Sequence, residues 1–345
     1  MPSKMWSHPT INGGVRVNRR AFLQSCMGSI AITGFGALHC TSNPVGGENG
    51  SVNFFLLKDA NLTFEDVLDE EPTSLELQEE PWISNDDLLM YDSSTHMVYL
   101  NRTTSDLLPD IMTEQVSTSG IPFAACVSGV ACYVGGMIPM YSSWGAIDRP
   151  VIMIPSIRPS DVLYLSNGLY VHQSVVDLRN DSRVLEALNT QGILHRGIRC
   201  EMLSVNVERD GGASMVTYEY QIFNDDMDDL YVLDPDRMGT EIFHYYTNGP
   251  SFNNGQRSYQ SLNQTIEKSG SLNAWEIDWF TRIPSGGHIQ RTTAIDGYDE
   301  IPPGAYHMLY IFPSPSRIDK IDREQTDGRI WLGEILVRQE IEIST

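Results

Sequence analysis

The 345-residue chain carries 23 lysines and arginines against 45 aspartates and glutamates, a formal net charge of −22 with neutral histidines. Nucleic acid and anionic lipid are bound chiefly through Lys and Arg that neutralise phosphates, so this balance argues against both as ligands of the folded part. With 41% hydrophobic residues, the chain is long enough to bury the cores of two ordinary domains without disulfide or metal staples.

The acidity is unevenly spread. Residues 1–40 hold Lys4, Arg16, Arg19 and Arg20 and no acid. Behind the arginines lies a modestly apolar stretch, residues 25–38, diluted by Gly28, Gly34 and Gly36, and then a polar, glycine-bearing segment up to Gly50. A basic start, a short apolar run and a polar exit make an export signal. A membrane-spanning helix would need about 18–20 strongly apolar residues, and this run is both shorter and weaker. Arg19-Arg20 ahead of Phe22-Leu23 resembles the twin-arginine signal, which implies residues 1–40 as signal peptide and 41–51 as a flexible tether. Cys40, closing Ala37-Leu38-His39-Cys40, is a candidate lipidation site. It resembles a lipoprotein signal except that His39 stands where a small residue is favoured. Cleavage nearby without a lipid, or an uncleaved anchor, are the alternatives. The expected location is the cell envelope, periplasmic or as an anchored lipoprotein, with the membrane touched only through the signal or the lipid.

Residues 52–178 read as a small α+β domain. An apolar run at 52–57 suits a buried strand, and Ser84 caps one helical turn with Asp86 and Asp87 near its positive end. Strand, polar turn and strand follow over 90–100, and Pro109 breaks a partly helical stretch at 103–115. Two apolar, β-prone runs about Ser128-Gly129 predict a hairpin. Its register decides the thiols: a two-residue loop puts Cys126 opposite Ala131 and aims Cys126 and Cys132 at opposite faces, whereas a three-residue loop sets them against each other. The first is favoured, which leaves Cys126, Cys132 and Cys200 as buried thiols rather than a disulfide. The order Ile-Ser-x-Asp-Asp-Leu at 83–88, Tyr-Asp-x-x-Thr-His-x-Val-x-Leu at 91–100, Pro-Phe with a glycine turn and Tyr-Val-Gly at 122–135, and a proline-flanked apolar strand at 150–155 is similar to a module of uncharacterised exported bacterial proteins. That resemblance spans about residues 52–155 and implies location and fold, with no catalytic residue.

A linker helix is expected at 179–196, with Val184, Leu185 and Leu188 on one face. Beyond it, alternating runs at 198–208, 213–223, 230–233, 241–246, 275–283, 288–294, 304–312 and 329–338, divided by Gly, Pro, Asn and Asp, predict an antiparallel immunoglobulin-like β-sandwich over 197–345. Residues 247–270 read as a long polar loop.

Asp225, Asp226, Asp228, Asp229, Asp234 and Asp236 form the densest carboxylate cluster, and Asp225, Asp226, Asp228, Asp234 and Asp236 are its candidate ligands. Calcium takes six to eight oxygen ligands, so they are a candidate calcium loop, against the plainer reading of a solvated strand connection. No His-Glu-x-x-His zinc motif and no Gly-x-Ser-x-Gly nucleophile elbow occurs. His244 and His307 fall in expected strands, where a transition metal across the sandwich is the sharper alternative to ordinary hydrogen-bonded histidines. Asp92 and His96, four apart across a turn, are a candidate acid–base pair. Tyr141, Trp144, Tyr245, Tyr246, Trp275 and Trp279 are aromatics for core packing or for sugar and protein contact. The sequence thus points to an exported, non-catalytic protein that binds or scaffolds a protein or glycan of the envelope. The alternative is a cofactor- or metal-dependent extracytoplasmic oxidoreductase or its accessory subunit.

Overall fold

The computed structural model describes residues 50–107, 118–140, 142, 149–154, 159–167, 176–247, 249–261, 276–314, 323–325 and 327–344. Arg19, Arg20, Phe22, Leu23, Cys40 and most of the tether lie outside these residues, as do Tyr141, Trp144, Trp275 and the side chains of Tyr245 and Tyr246. The described chain is mostly β, in several sheets with largely antiparallel pairing. None of its helices is long and apolar enough to cross a membrane.

The first sheet runs β1-β4-β5-β6, with β1 at Val52–Leu56, β4 at Ile121–Val127, β5 at Val130–Pro139 and β6 at Val151–Ile154. Every residue of β5 after Val130 is buried. A strand covered on both faces needs such an unbroken apolar run rather than alternation. Phe123, Ala125, Tyr133 and Met137 face one core, while Val134 and Ile138 face a smaller one around Phe64. The Phe64 ring occupies the space a side chain at Gly136 would need, which makes that glycine a packing requirement. Ser128 and Gly129 both take positive φ, the backbone of a two-residue hairpin turn. Cys126 pairs with Ala131, and a bulge displaces Cys132. The two sulfurs lie in different cores, and Cys126, Cys132 and Cys200 are free and buried.

The second sheet, β7-β3-β2-β8, comprises β2 at Leu88–Asp92, β3 at Met97–Leu100, β7 at Val162–Tyr164 and β8 at Leu194–His195. All four residues of β3 are buried. Val98 and Leu100 join the core shared with the first sheet, and Met97 and Tyr99 join a larger core built by the second half of the chain. This sheet is therefore a middle layer.

The larger core lies between a three-stranded sheet, β15-β10-β9, and a four-stranded one, β13-β12-β16-β19. Their strands are β9 at Ile198–Asp210, β10 at Ala213–Asn224, β12 at Ser251–Asn253, β13 at Ser258–Tyr259, β15 at His288–Asp299, β16 at Gly304–Pro313 and β19 at Glu334–Ile343. β10 buries Val216, Tyr218, Tyr220 and Ile222 at alternate positions, the period of a strand with one wet face. A last sheet orders β14-β11-β18-β17, from Phe280–Ile283, Leu230–Leu233, Gly328–Ile330 and Glu324–Gln325.

Two expectations change. Residues 241–246 are not a strand but part of the helix Thr240–Thr247. Its run of aromatic and β-branched residues favours strand, but Phe243, His244 and Thr247 are buried at helical spacing, and Phe243 packs on Tyr220 and Phe312. Tertiary packing overrides propensity here. The stretch 247–270, expected as a polar loop, contains β12 and β13, which pair with each other, and β12 also pairs with β16.

Candidate functional site

Where the middle sheet meets the second half of the chain, five charged or titratable side chains converge. β2 ends at Asp92, β8 at His195, the turn after β10 carries Asp226 and Asp228, and β18 supplies Arg329. The Asp92 side chain is fully buried. Its Oδ1 accepts hydrogen bonds from Ser94 N at 3.0 Å and Ser94 Oγ at 2.6 Å, and its Oδ2 lies 3.4 Å from Arg329 Nη2. Asp226 is satisfied on every side. His195 Nδ1 at 2.8 Å and Asp228 N at 3.1 Å meet its Oδ1, while Gly197 N and Arg329 Nη2, each at 2.9 Å, meet its Oδ2.

Gly197 makes this approach feasible. It sits at φ 65°, and the space a side chain would fill is taken by Ser94 Oγ and the Asp92 carboxylate. Only glycine accepts both the left-handed backbone and that contact.

The two carboxylates behave oppositely although one guanidinium serves both. Burial pushes the Asp92 carboxyl above the usual carboxylate range, against the pull of Arg329 and Ser94. Burial acts the same way on Asp226, but the His195 hydrogen bond, the Arg329 charge and the N–H groups of Asp228 and Gly197 outweigh it, and its pKa falls to about 2. A carboxylate accepting several N–H bonds prefers its charged form.

No family model and no curated protein matches the chain. Its chemistry is therefore argued from geometry alone.

His195, Asp226 and Asp228 offer ligand atoms within 4.8 Å of one another. Yet all four lone-pair positions of Asp226 are taken by N–H donors, and Arg329 stands among the three acids, its Nε 3.8 Å from Asp228 Oδ2. A cation there would have to displace a cation already in place. The arrangement works as a strut that joins β2, β8, the turn after β10 and β18.

The acids grouped together in the sequence separate in space by the arginine each one meets. Asp225 pairs with Arg199, Asp226 and Asp228 with Arg329, Asp229 with Arg282, and Asp234 and Asp236 with Arg291 at 2.6 and 3.0 Å. Asp92 and His96 also take separate partners. Neighbouring residues of a strand point to opposite faces, so Tyr91 turns away from Asp92. His96, itself at φ 56°, follows Tyr91. Its Nδ1 is 2.8 Å from Tyr91 Oη, and its Nε2 is 3.7 Å from Asp177, which Arg179 clamps. Burial, then the nearby Arg179 charge, pushes His96 down to about 3, so it stays neutral.

His195 and Arg329 were not singled out by sequence reasoning. They lie 31 and 103 residues from Asp226, and nothing local marks either one. His244 is buried on its helix, while His288 and His307 are exposed on strands.

Proposed function

We propose that the chain is an exported cell-envelope protein whose mature part binds or scaffolds a protein or glycan partner without performing chemistry. The observation that carries this reading is the strut, in which Asp92, His195, Asp226 and Arg329 tie four segments together. It rigidifies a body built from long strands with polar outward faces, such as Thr217, Glu219 and Gln221 beside Thr292 and Gln290. Arg19-Arg20 and the weak apolar run behind them supply the export route, twin-arginine translocation, with Cys40 as the anchor point in the lipoprotein form.

The finer fold we assign to the second half is an immunoglobulin-like sandwich. Two features support it. Taken in chain order as A, B, C, C′, E, F and G, strands β9, β10, β12, β13, β15, β16 and β19 pair as A-B-E and C′-C-F-G, an order within the sandwich family. Tyr306, near the start of β16, donates from its hydroxyl to Pro302 O, four residues upstream, at 2.8 Å. This is the tyrosine-corner bond of such domains. Fold alone does not assign function, so the test addresses location and binding directly.

Mass spectrometry of protein recovered from fractionated cells should find residues 1–39 or the whole signal removed, with a diacylglycerol mass on Cys40 in the lipoprotein form. Arg19→Lys with Arg20→Lys should hold the chain in the cytoplasm. Photo-crosslinkers at Glu219 and Gln290 should then capture one envelope protein or glycan reproducibly. An intact N-terminus on a cytoplasmic wild-type protein would overturn the reading.

A further inference from the structure

The middle of the larger core contains a group of polar atoms that the fold itself leaves without partners. β10 aims Tyr218 and Tyr220 inward two residues apart, and β15 places Thr293 opposite Tyr218. β16 brings Tyr310 from the facing sheet, with ring centroids 5.2 Å from Tyr218 and 5.6 Å from Tyr220. The helix Thr240–Thr247 adds His244, 6.4 Å from Tyr218. All five residues are more than nine-tenths buried. The three phenol oxygens, Thr293 Oγ1 and His244 Nε2 have no hydrogen-bond partner, and they are five of the twelve such buried side-chain atoms among the described residues. The Tyr218 hydroxyl lies near enough to those of Thr247, Tyr310 and Thr293 to interact with them, as the Tyr220 hydroxyl does with Thr293, but none of these pairs reaches hydrogen-bond geometry.

Tyrosine burial as such is not the cause. In the same core, Tyr298 donates to Pro250 O at 2.6 Å and Tyr306 to Pro302 O. Buried polar groups in folded proteins are almost always satisfied, by protein or by a bound molecule. Several orphans converging from two sheets and a helix therefore mark a place that something else completes.

The chemistry of the lining selects the guest. Burial drives the three phenols well above their usual pKa of 10 and His244 down to about 4, so the lining is neutral at pH 7. Hydroxyls and a neutral imidazole each donate or accept, which favours an uncharged partner that does both. Phe243 and Phe312 stack and tilt against Tyr220 and close the apolar side.

We propose that Tyr218, Tyr220, Tyr310, Thr293 and His244 form an internal binding site for an uncharged, oxygen-bearing guest, either a cluster of ordered water or one small hydroxylated molecule. The site joins the two sheets through the guest, and it is independent of where the protein is located.

The test uses the full chain purified after native expression. Tyr218→Phe and Tyr310→Phe keep the ring and remove the hydroxyl. With a guest bound, each raises the unfolding equilibrium constant about five- to tenfold. If the hydroxyls are truly orphaned, each variant is as stable as the parent or more so, because an unsatisfied buried group has been removed. Water-¹⁷O relaxation dispersion on the parent identifies long-lived internal water, and mass spectrometry of the denatured protein's supernatant identifies a stoichiometric neutral compound. Either guest, together with the destabilised variants, supports the site and names its source. Absence of both guests, variants as stable as the parent, or a stoichiometric metal overturns it.

Discussion

At the scale of single residues, Asp92 and Asp226 share one arginine and yet should respond differently to removal of their charge. Asp226 has its folded pKa lowered from 3.8 to about 2. Its stabilising contribution is present above the unfolded value and is lost as pH falls through the folded one. One pKa unit corresponds to about 1.4 kcal/mol, so Asp226→Asn should cost about 2 kcal/mol at pH 7, with the gap to wild type closing between about pH 4 and pH 2. Asp92 is displaced the other way by burial, so its charge contributes less to the folded state than that of Asp226. Asp92→Asn keeps an acceptor for Ser94 and should cost less than half as much. Urea unfolding at pH 7 and at pH 3 checks both, and equal penalties at pH 7 would contradict the assigned asymmetry. The sequence made the acids at 225–236 visible as a group and hid their partners. Arg199, Arg282, Arg291 and Arg329 come from β9, β14, β15 and β18, and a linear reading sees a run of anions where the fold sees four separate pairings.

At the scale of elements, strands with one wet face were legible because their period of two is written in the chain. β10 alternates over its whole length, and the Ser128-Gly129 hairpin carries its own turn chemistry. The helix Thr240–Thr247 was not legible, since its aromatic-rich run fits either element and only the surrounding core decides. The bond from Tyr306 to Pro302 had a signal that went unused: Pro302-Pro303-Gly304 forces a turn directly ahead of an inward tyrosine. Tyr306→Phe should cost about 1 kcal/mol, the net worth of one such hydrogen bond, measured as a lower urea midpoint with an unchanged slope. Gly136→Ala should cost about 1–3 kcal/mol, as overpacking does, because the Phe64 ring must leave its seat on β5. A Gly136→Ala protein as stable as wild type would show that ring to be freely displaceable.

At the scale of the molecule, what matters is how the two main cores are joined. β3 contributes alternate side chains to each core, and the strut adds Asp92 of β2 and Asp226 after β10 to Arg329 of β18. Arg329→Met retains much of the side chain's bulk while leaving two buried carboxylates without their cation. Breaking a buried pair in this way costs about 3–5 kcal/mol, a large share of the stability of any domain. The loss should not be felt evenly. Packing inside the β4–β5 hairpin and between β9 and β10 does not involve Arg329, whereas β2, β3, β8, β11 and β18 meet around it. Hydrogen–deuterium exchange of Arg329→Met should therefore quicken in peptides covering 88–100, 194–197, 224–233 and 328–331, and stay near wild type in 121–139 and 199–210. Faster exchange confined to β18 would mean that the cores are held by apolar contact alone. Uniform acceleration would mean that the whole body opens as one unit, with the strut no more local in its effect than any other buried contact.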